Sequence, residues 1–196
     1  MKKKGLALVL ALALMVVGAV AGTLAWLTAQ SDTVTNTFTT SDIKVELKET
    51  QGETVEGGKK FKMIPGYAIK KDPKVRVLAD SEECFLFVKL EKSANFKDFL
   101  TYKMADGWTQ LTKDKDDNPI TDLVYYREVK KEDIGKEYSV LKDNQVTVNG
   151  NVTKKQMNDL TQDNLPKLTI TAYASQLHKS ADEEFKPAEA WANVNP

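Results

Sequence analysis

The single histidine of this 196-residue chain, His178, limits the catalytic chemistry that its side chains can perform. A histidine-based zinc site needs more than one imidazole ligand, and no His-Glu-x-x-His motif is present. A Ser-His-Asp triad would have to use His178, yet no Gly-x-Ser-x-Gly nucleophile motif accompanies it. We therefore interpret His178 as a solvated loop residue and predict that the protein is not an enzyme and has no catalytic residues.

An acidic segment resembles the start of a calcium-binding loop. Asp114, Asp116 and Asn118 occupy its first, third and fifth positions, but Pro119 stands in place of the required glycine and Tyr125 in place of the bidentate glutamate. We predict instead that the segment is the solvated tip of a β-hairpin. No Gly-rich phosphate loop and no Cys-x-x-Cys motif occurs, so we predict no metal-binding residue and no cofactor.

The only cysteine, Cys84, lies in the most apolar run outside the N-terminal segment, at residues 84–88. A single cysteine allows no intrachain disulfide, and a thiol with such neighbours usually behaves as a small hydrophobic side chain. We therefore predict a buried structural thiol and a domain stabilised by its apolar core alone.

The elements that position these residues are predominantly strands, because apolar residues alternate with polar ones over most of the chain. In residues 85–90 the pattern places Phe85 and Phe87 on one face and the aliphatic residues on the other, which predicts a strand covered on both sides. Thr153 is a candidate helix cap for residues 154–160, and Pro187 suits the first turn of a C-terminal helix. Similar alternation occurs in residues 43–48, 74–77 and 168–172.

These patterns together predict a mainly β protein: an antiparallel, jelly-roll-type β-sandwich with short peripheral helices, preceded by an N-terminal signal peptide. We divide the chain into a signal peptide (residues 1–25), a mature N-terminal assembly strand (26–40) and the sandwich domain (41–196).

The N-terminal segment has the three parts of an export signal. Three lysines at residues 2–4 precede an uncharged run at residues 5–31, and small residues Thr23 and Ala25 precede a cut between Ala25 and Trp26. Counted on to Leu27, the apolar stretch also reaches the length of about 20 residues that spans a bilayer, so retention as an anchor is the alternative. Cleavage is favoured because no Lys/Arg cluster follows the stretch.

Charge argues against one class of partner. Removal of residues 1–25 takes away three lysines and no acid, which leaves 25 basic and 28 acidic side chains. A weakly acidic domain has no basic excess with which to bind nucleic acid. We expect membrane contact only through an uncleaved signal segment.

Several segments in order resemble the TasA/camelysin (CalY) family of Gram-positive bacteria. The N-terminal matches are GTLAWLT at residues 22–28, NTFTT at 36–40 and IKVEL at 43–47. Further matches are PGY at 65–67, KDPKV at 71–75, ECFLFVK at 83–89, LTITAYASQ at 168–176 and AEAW at 188–191. The resemblance covers the ends and the first half well, and residues 95–165 poorly.

The resemblance implies export through a SipW-type signal peptidase to the extracellular matrix or cell surface. It implies a jelly-roll domain that polymerises with itself into biofilm or surface fibres. Residues 26–40 would add as a strand to the neighbouring subunit, with Val34, Asn36 and Phe38 along one face. The alternative for this segment is a disordered tail or an intramolecular edge strand.

Two other functions are weighed against the fibre. Some camelysin-like members have been described as cell-surface metalloproteases, but one histidine leaves only carboxylates as further ligands here. An uncleaved N-terminal anchor would favour a membrane-anchored surface adhesin.

Processing separates these alternatives. Mass spectrometry of the secreted protein is expected to find a first residue at or near Trp26. An intact N-terminus that fractionates with the membrane would favour the anchored adhesin instead.

Overall fold

The computed structural model describes residues 42–194, which form fourteen strands, three short α-helices and two 3-10 helices (Lys131–Asp133 and Lys142–Asn144). The strands are β1 (Val45–Lys48), β2 (Glu53–Val55), β3 (Gly58–Lys60), β4 (Ala68–Lys70), β5 (Lys74–Val77), β6 (Cys84–Lys92), β7 (Leu100–Thr101), β8 (Thr109–Lys113), β9 (Pro119–Val129), β10 (Tyr138–Ser139), β11 (Gln145–Val148), β12 (Leu168–Gln176), β13 (His178–Ser180) and β14 (Glu183–Glu184). The helices are α1 (Phe96–Phe99), α2 (Lys154–Asn158) and α3 (Pro187–Val194). Strands predominate over helices in this part of the chain, and all their pairs are antiparallel, which confirms the prediction of a mainly β, antiparallel protein.

The largest sheet has four strands in the order β12-β6-β9-β8. Its central strand β6 pairs along its whole length with β12, from Cys84 opposite Gln176 to Lys92 opposite Leu168. On its other side β6 pairs with β9. Successive side chains of a strand point to opposite faces, so a strand that is apolar throughout must be covered on both faces.

One face of this sheet packs against two smaller sheets, β1-β5-β10 and β4-β11-β7. Leu86, Val88 and Leu90 of β6 meet Val75 and Val77 of β5 in this larger core. Residues of β1 and β12 pack around it while remaining partly exposed.

The other face is covered by helix α3. Phe85 and Phe87 form a second core there with the buried Trp191. The Trp191 ring centroid lies 5.3 Å from that of Phe87 and 5.2 Å from that of Tyr173, with the Tyr173 pair edge to face. This is a preferred geometry for aromatic pairs, so α3 is held by aromatic contacts as well as by apolar burial. The two-sided cover predicted for this strand is therefore confirmed.

Local signals in the sequence identify several termini correctly. Residues 114–118 are the loop of the β8–β9 hairpin, as predicted. Thr153 caps α2 in a capping box with Gln156, but the helix ends at Asn158 rather than at residue 160. Its early end coincides with a turn in which Asn164 Nδ2 donates to the Asp159 carbonyl. Cys84 is fully buried, as predicted.

The dependence of α3 on β6 predicts a large effect of one truncation. Phe87→Ala should lower the free energy of unfolding by about 3–5 kcal/mol, because it leaves a cavity between β6 and Trp191. Chemical denaturation followed by tryptophan fluorescence measures this change.

The matched control is Tyr67→Ala. It also removes an aromatic ring, but Tyr67 is 66% exposed. Its effect should stay within about 0.5 kcal/mol. Equal destabilisation by the two substitutions would contradict the two-sided core.

Candidate functional site

The long strand β12 is an open edge of the central sheet within residues 42–194. It is hydrogen-bonded to β6 on one side, and no described strand pairs with its other side. β1 lies beside β12, but the two strands do not form a ladder. Whereas five consecutive residues of β6 are buried, most of β12 is only half-buried. An unpaired edge of this length is a template for another strand.

The opposite edge of the same sheet is less suited to pairing. The register of β8 shifts between Leu111 and Lys113, and the strand ends in the charged hairpin loop. Bulges and lysines are common means by which proteins prevent pairing at an edge. The two edges of the sheet are therefore unequal, and β12, with nine residues against five in β8, is the longer and more regular one.

Beside the start of β12 lies a groove of about 770 Å³. Its floor consists of apolar side chains from the sheet β4-β11-β7, from the segment before β4 and from α1: Met63, Ile69, Phe96, Leu100 and Val146. One wall is the segment 165–170, which includes the first residues of β12. The other wall is the end of β1, residues 47–49, together with the β2–β3 hairpin. The groove thus joins an open strand edge to side chains of the apolar core.

An ion pair fixes the wall formed by β1. Lys71 Nζ lies 3.0 Å and 2.9 Å from the two carboxylate oxygens of Glu49, and their side chains are only 13% and 17% exposed. The same ammonium lies 5.2 Å from the centre of the Phe61 ring, within range of a cation–π interaction. The three residues line the groove and tie the end of β1 to the base of the hairpin.

A second contact holds the chain that leaves β1. Asp72 accepts hydrogen bonds from Thr50 Oγ1 at 2.6 Å and from the Gln51 N–H at 2.9 Å. Burial would raise the pKa of Asp72, but these hydrogen bonds favour the carboxylate and hold the pKa below its ordinary value. The hairpin therefore starts from a fixed base.

His178 is exposed, as predicted, but it lies in the short strand β13 rather than in a loop, and it has a specific partner. Its Nε2 atom is 2.9 Å from Glu83 Oε2, while Glu83 Oε1 accepts a hydrogen bond from the Lys131 N–H at 3.0 Å. Both hydrogen bonds hold the pKa of Glu83 below its ordinary value, and the one with His178 has the larger effect. Glu83, the residue before β6, is thus linked to β13 and to the segment that follows β9.

Two further residues considered for chemistry in the sequence are Asp114, which is hydrogen-bonded within its own loop, and Cys84, which is buried. Asp114 Oδ1 accepts hydrogen bonds from the N–H groups of Asp116 and Asn118, both at 2.9 Å. These bonds hold the pKa of Asp114 below its ordinary value, and the one from Asn118 has the largest effect. They also use carboxylate oxygens that a cation would need. Burial raises the pKa of the Cys84 thiol to about 12, so the reactive thiolate is scarce at neutral pH. Residues 42–194 contain no cluster of three or more His, Cys, Asp or Glu side chains able to hold a metal ion.

The residues predicted to flank the cleavage site, Ala25 and Trp26, and those predicted for the assembly strand, Val34, Asn36 and Phe38, lie outside the described residues. No helix among the described residues is long and apolar enough to cross a membrane. The residues that line the groove were not predicted from the sequence as a site. The alternation in residues 168–172 indicated a strand, but nothing in it showed that the strand lies at an edge.

The fold and the site define an antiparallel β protein in which a sheet edge left open by the described strands lies beside a groove with an apolar floor and charged residues in its walls. Comparison of the chain with protein-family models, with curated proteins and with solved structures found no match.

The Glu83–His178 contact predicts a pH dependence of stability. Because the folded-state pKa of Glu83 is lowered, its stabilising contribution is present above the unfolded value of about 4.3 and is lost as the pH falls through the folded pKa. Glu83→Gln should therefore reduce stability at pH 6 and reduce its loss on going to pH 3, as measured by urea denaturation midpoints.

The neighbouring exposed residue supplies the control. Glu82→Gln removes the same charge next to Glu83 and should leave the pH profile close to that of the wild type. Identical acid profiles for the two variants would show that the His178 contact does not stabilise the fold.

Proposed function

We propose that this chain is a secreted structural protein, similar to TasA, that forms extracellular matrix or surface fibres. In this proposal a SipW-type signal peptidase removes residues 1–25. The jelly-roll-type sandwich of one subunit then receives residues 26–40 of the next subunit as an added strand. The observation that carries the proposal is the open edge of β12 beside the apolar groove.

The chemistry of residues 26–40 suits this groove. The segment carries a single charge, Asp32, and is rich in the β-branched residues threonine and valine. An extended stretch from 33 to 40 would span about 26 Å, close to the roughly 30 Å of the nine-residue β12. Its backbone would satisfy the unpaired groups of β12, while Val34 and Phe38 would occupy the apolar floor.

The turn that an intramolecular strand would need is poorly encoded. The described chain begins at Asp42, just before β1, so residues 26–40 of the same chain would have to reverse direction at about residues 39–42 to run beside β1. This stretch, Thr-Thr-Ser-Asp, contains no glycine or asparagine, and only its last residue, Asp42, is of a type that tight hairpin turns with positive φ favour. Donation to a neighbouring subunit involves no such turn.

Unequal edges suit growth in one direction. A donor segment at one place and an acceptor edge at another form a head-to-tail contact, and such contacts produce open filaments when the rotation does not close. The register shift and Lys113 in β8 disfavour a second strand-to-strand contact at the opposite edge. The proposed subunit therefore extends a filament without forming wide sheets.

Cleavage would control the time of assembly. While residues 1–25 hold the chain in the membrane, the strand that follows them cannot reach another subunit freely. Release at Ala25–Trp26 would make the donor segment available only after export.

Two aspartate substitutions test the proposed face of the donor segment. Phe38→Asp should raise the concentration needed for filament growth by about 100-fold, because it removes a buried aromatic side chain worth about 2–3 kcal/mol and would bury a charge. Sedimentation and electron microscopy of the mature chain measure this concentration.

The control is Thr37→Asp, which places the same charge on the opposite face of the segment and should have a much smaller effect. A mature chain that lacks residues 26–40 should remain a folded monomer and, since it accepts but cannot donate, should stop the growth of wild-type filaments. Unchanged filaments in Phe38→Asp, or from the deleted chain alone, would contradict strand addition.

A further inference from the structure

The β2–β3 hairpin beside the groove stands apart from the other sheets in the described chain. Glu53–Val55 and Gly58–Lys60 pair only with each other, and five of their six residues are exposed. A two-stranded hairpin alone is only marginally stable in water, so it normally packs against something else. Residues 55–60 of the hairpin line the groove, so a segment bound there would contact them.

Val55 is the part of the hairpin that can make such a contact. It lines the groove and is 41% exposed, and of the large hydrophobic residues exposed in the described chain, Val55, Ile64 and Tyr67, it is the one that lines the groove. The residue directly opposite it is Gly58, which has no side chain. Val55 therefore lacks the cross-strand contact that normally stabilises such a residue.

The base of the hairpin is fixed, whereas its tip is open. Gly52 has a φ of +85°, and a Cβ atom there would lie 2.7 Å from the Phe61 ring, so the entry to the hairpin packs tightly on Phe61. Phe61 is in turn in contact with the Lys71–Glu49 ion pair. At Gly57 and Gly58, in contrast, an added Cβ atom would meet nothing within 4 Å.

We propose that the β2–β3 hairpin is a clasp that closes over the segment bound in the groove and contacts it through Val55. This inference rests on the proposed function, and it commits to residues 26–40 of a second copy as the occupant. The near absence of charge in that segment, where Asp32 is the single charged residue, supports this occupant, because an aliphatic side chain gains free energy only against an apolar surface. The clasp slows release of the segment and adds a second contact beyond the edge of β12.

Filament disassembly tests the clasp on the mature chain. Preformed filaments are diluted below the concentration needed for growth, and the release of monomers is followed by light scattering. Val55→Ser should accelerate release about tenfold. Hydrogen exchange of residues 53–60 should slow down when wild-type monomers assemble, because the hairpin becomes packed.

Thr54→Ser is the matched control, since Thr54 is in the same strand but does not line the groove. It should release monomers at the wild-type rate, and both positions are exposed, so neither variant should unfold. Equal release rates for the two variants, or unchanged exchange in the hairpin, would overturn the clasp while leaving strand addition intact. If the wild-type chain forms no filaments, the proposed function itself fails and the clasp with it.

Discussion

The strand β6 has large apolar side chains on both faces, and the rest of the described structure depends on covering them. Leu86, Val88 and Leu90 require the layer formed by the two smaller sheets, while Phe85 and Phe87 require α3 with Trp191. Each fully buried side chain of this kind contributes about 1.5–3 kcal/mol. Because the covering elements come from distant parts of the chain, this one strand connects the N-terminal strands with the C-terminal helix.

The candidate site lies where the central sheet ends at β12. Along β12 the central sheet has an edge with which no described strand pairs, and β1 lies beside it without forming a ladder. Next to the start of β12, core residues such as Ile69 and Val146 line a groove. The Lys71–Glu49 pair and the hydrogen bonds to Asp72 fix the wall opposite β12. Open backbone groups, an apolar floor and fixed walls together favour an extended apolar segment over a small polar ligand.

Particular elements show how far the sequence could be interpreted. The two apolar faces of residues 85–90, the cap at Thr153 and the hairpin loop at residues 114–118 were correctly predicted, because each depends on side chains close together in the chain. The early end of α2 was missed, since Asn164 and the turn around it lie beyond the helical pattern. The partner of His178 was missed as well, because Glu83 is 95 residues away.

The sequence by itself determined the predominance of strands, the faces that they bury and the position of a single buried thiol, since these follow from short-range periodicity. Only the tertiary structure decided which strand lies at an edge and which residues form the groove. Alternation along Leu168–Gln176 is the same whether one or two neighbours pair with the strand. Pairing depends on contacts between segments far apart in the chain, and no local pattern records them.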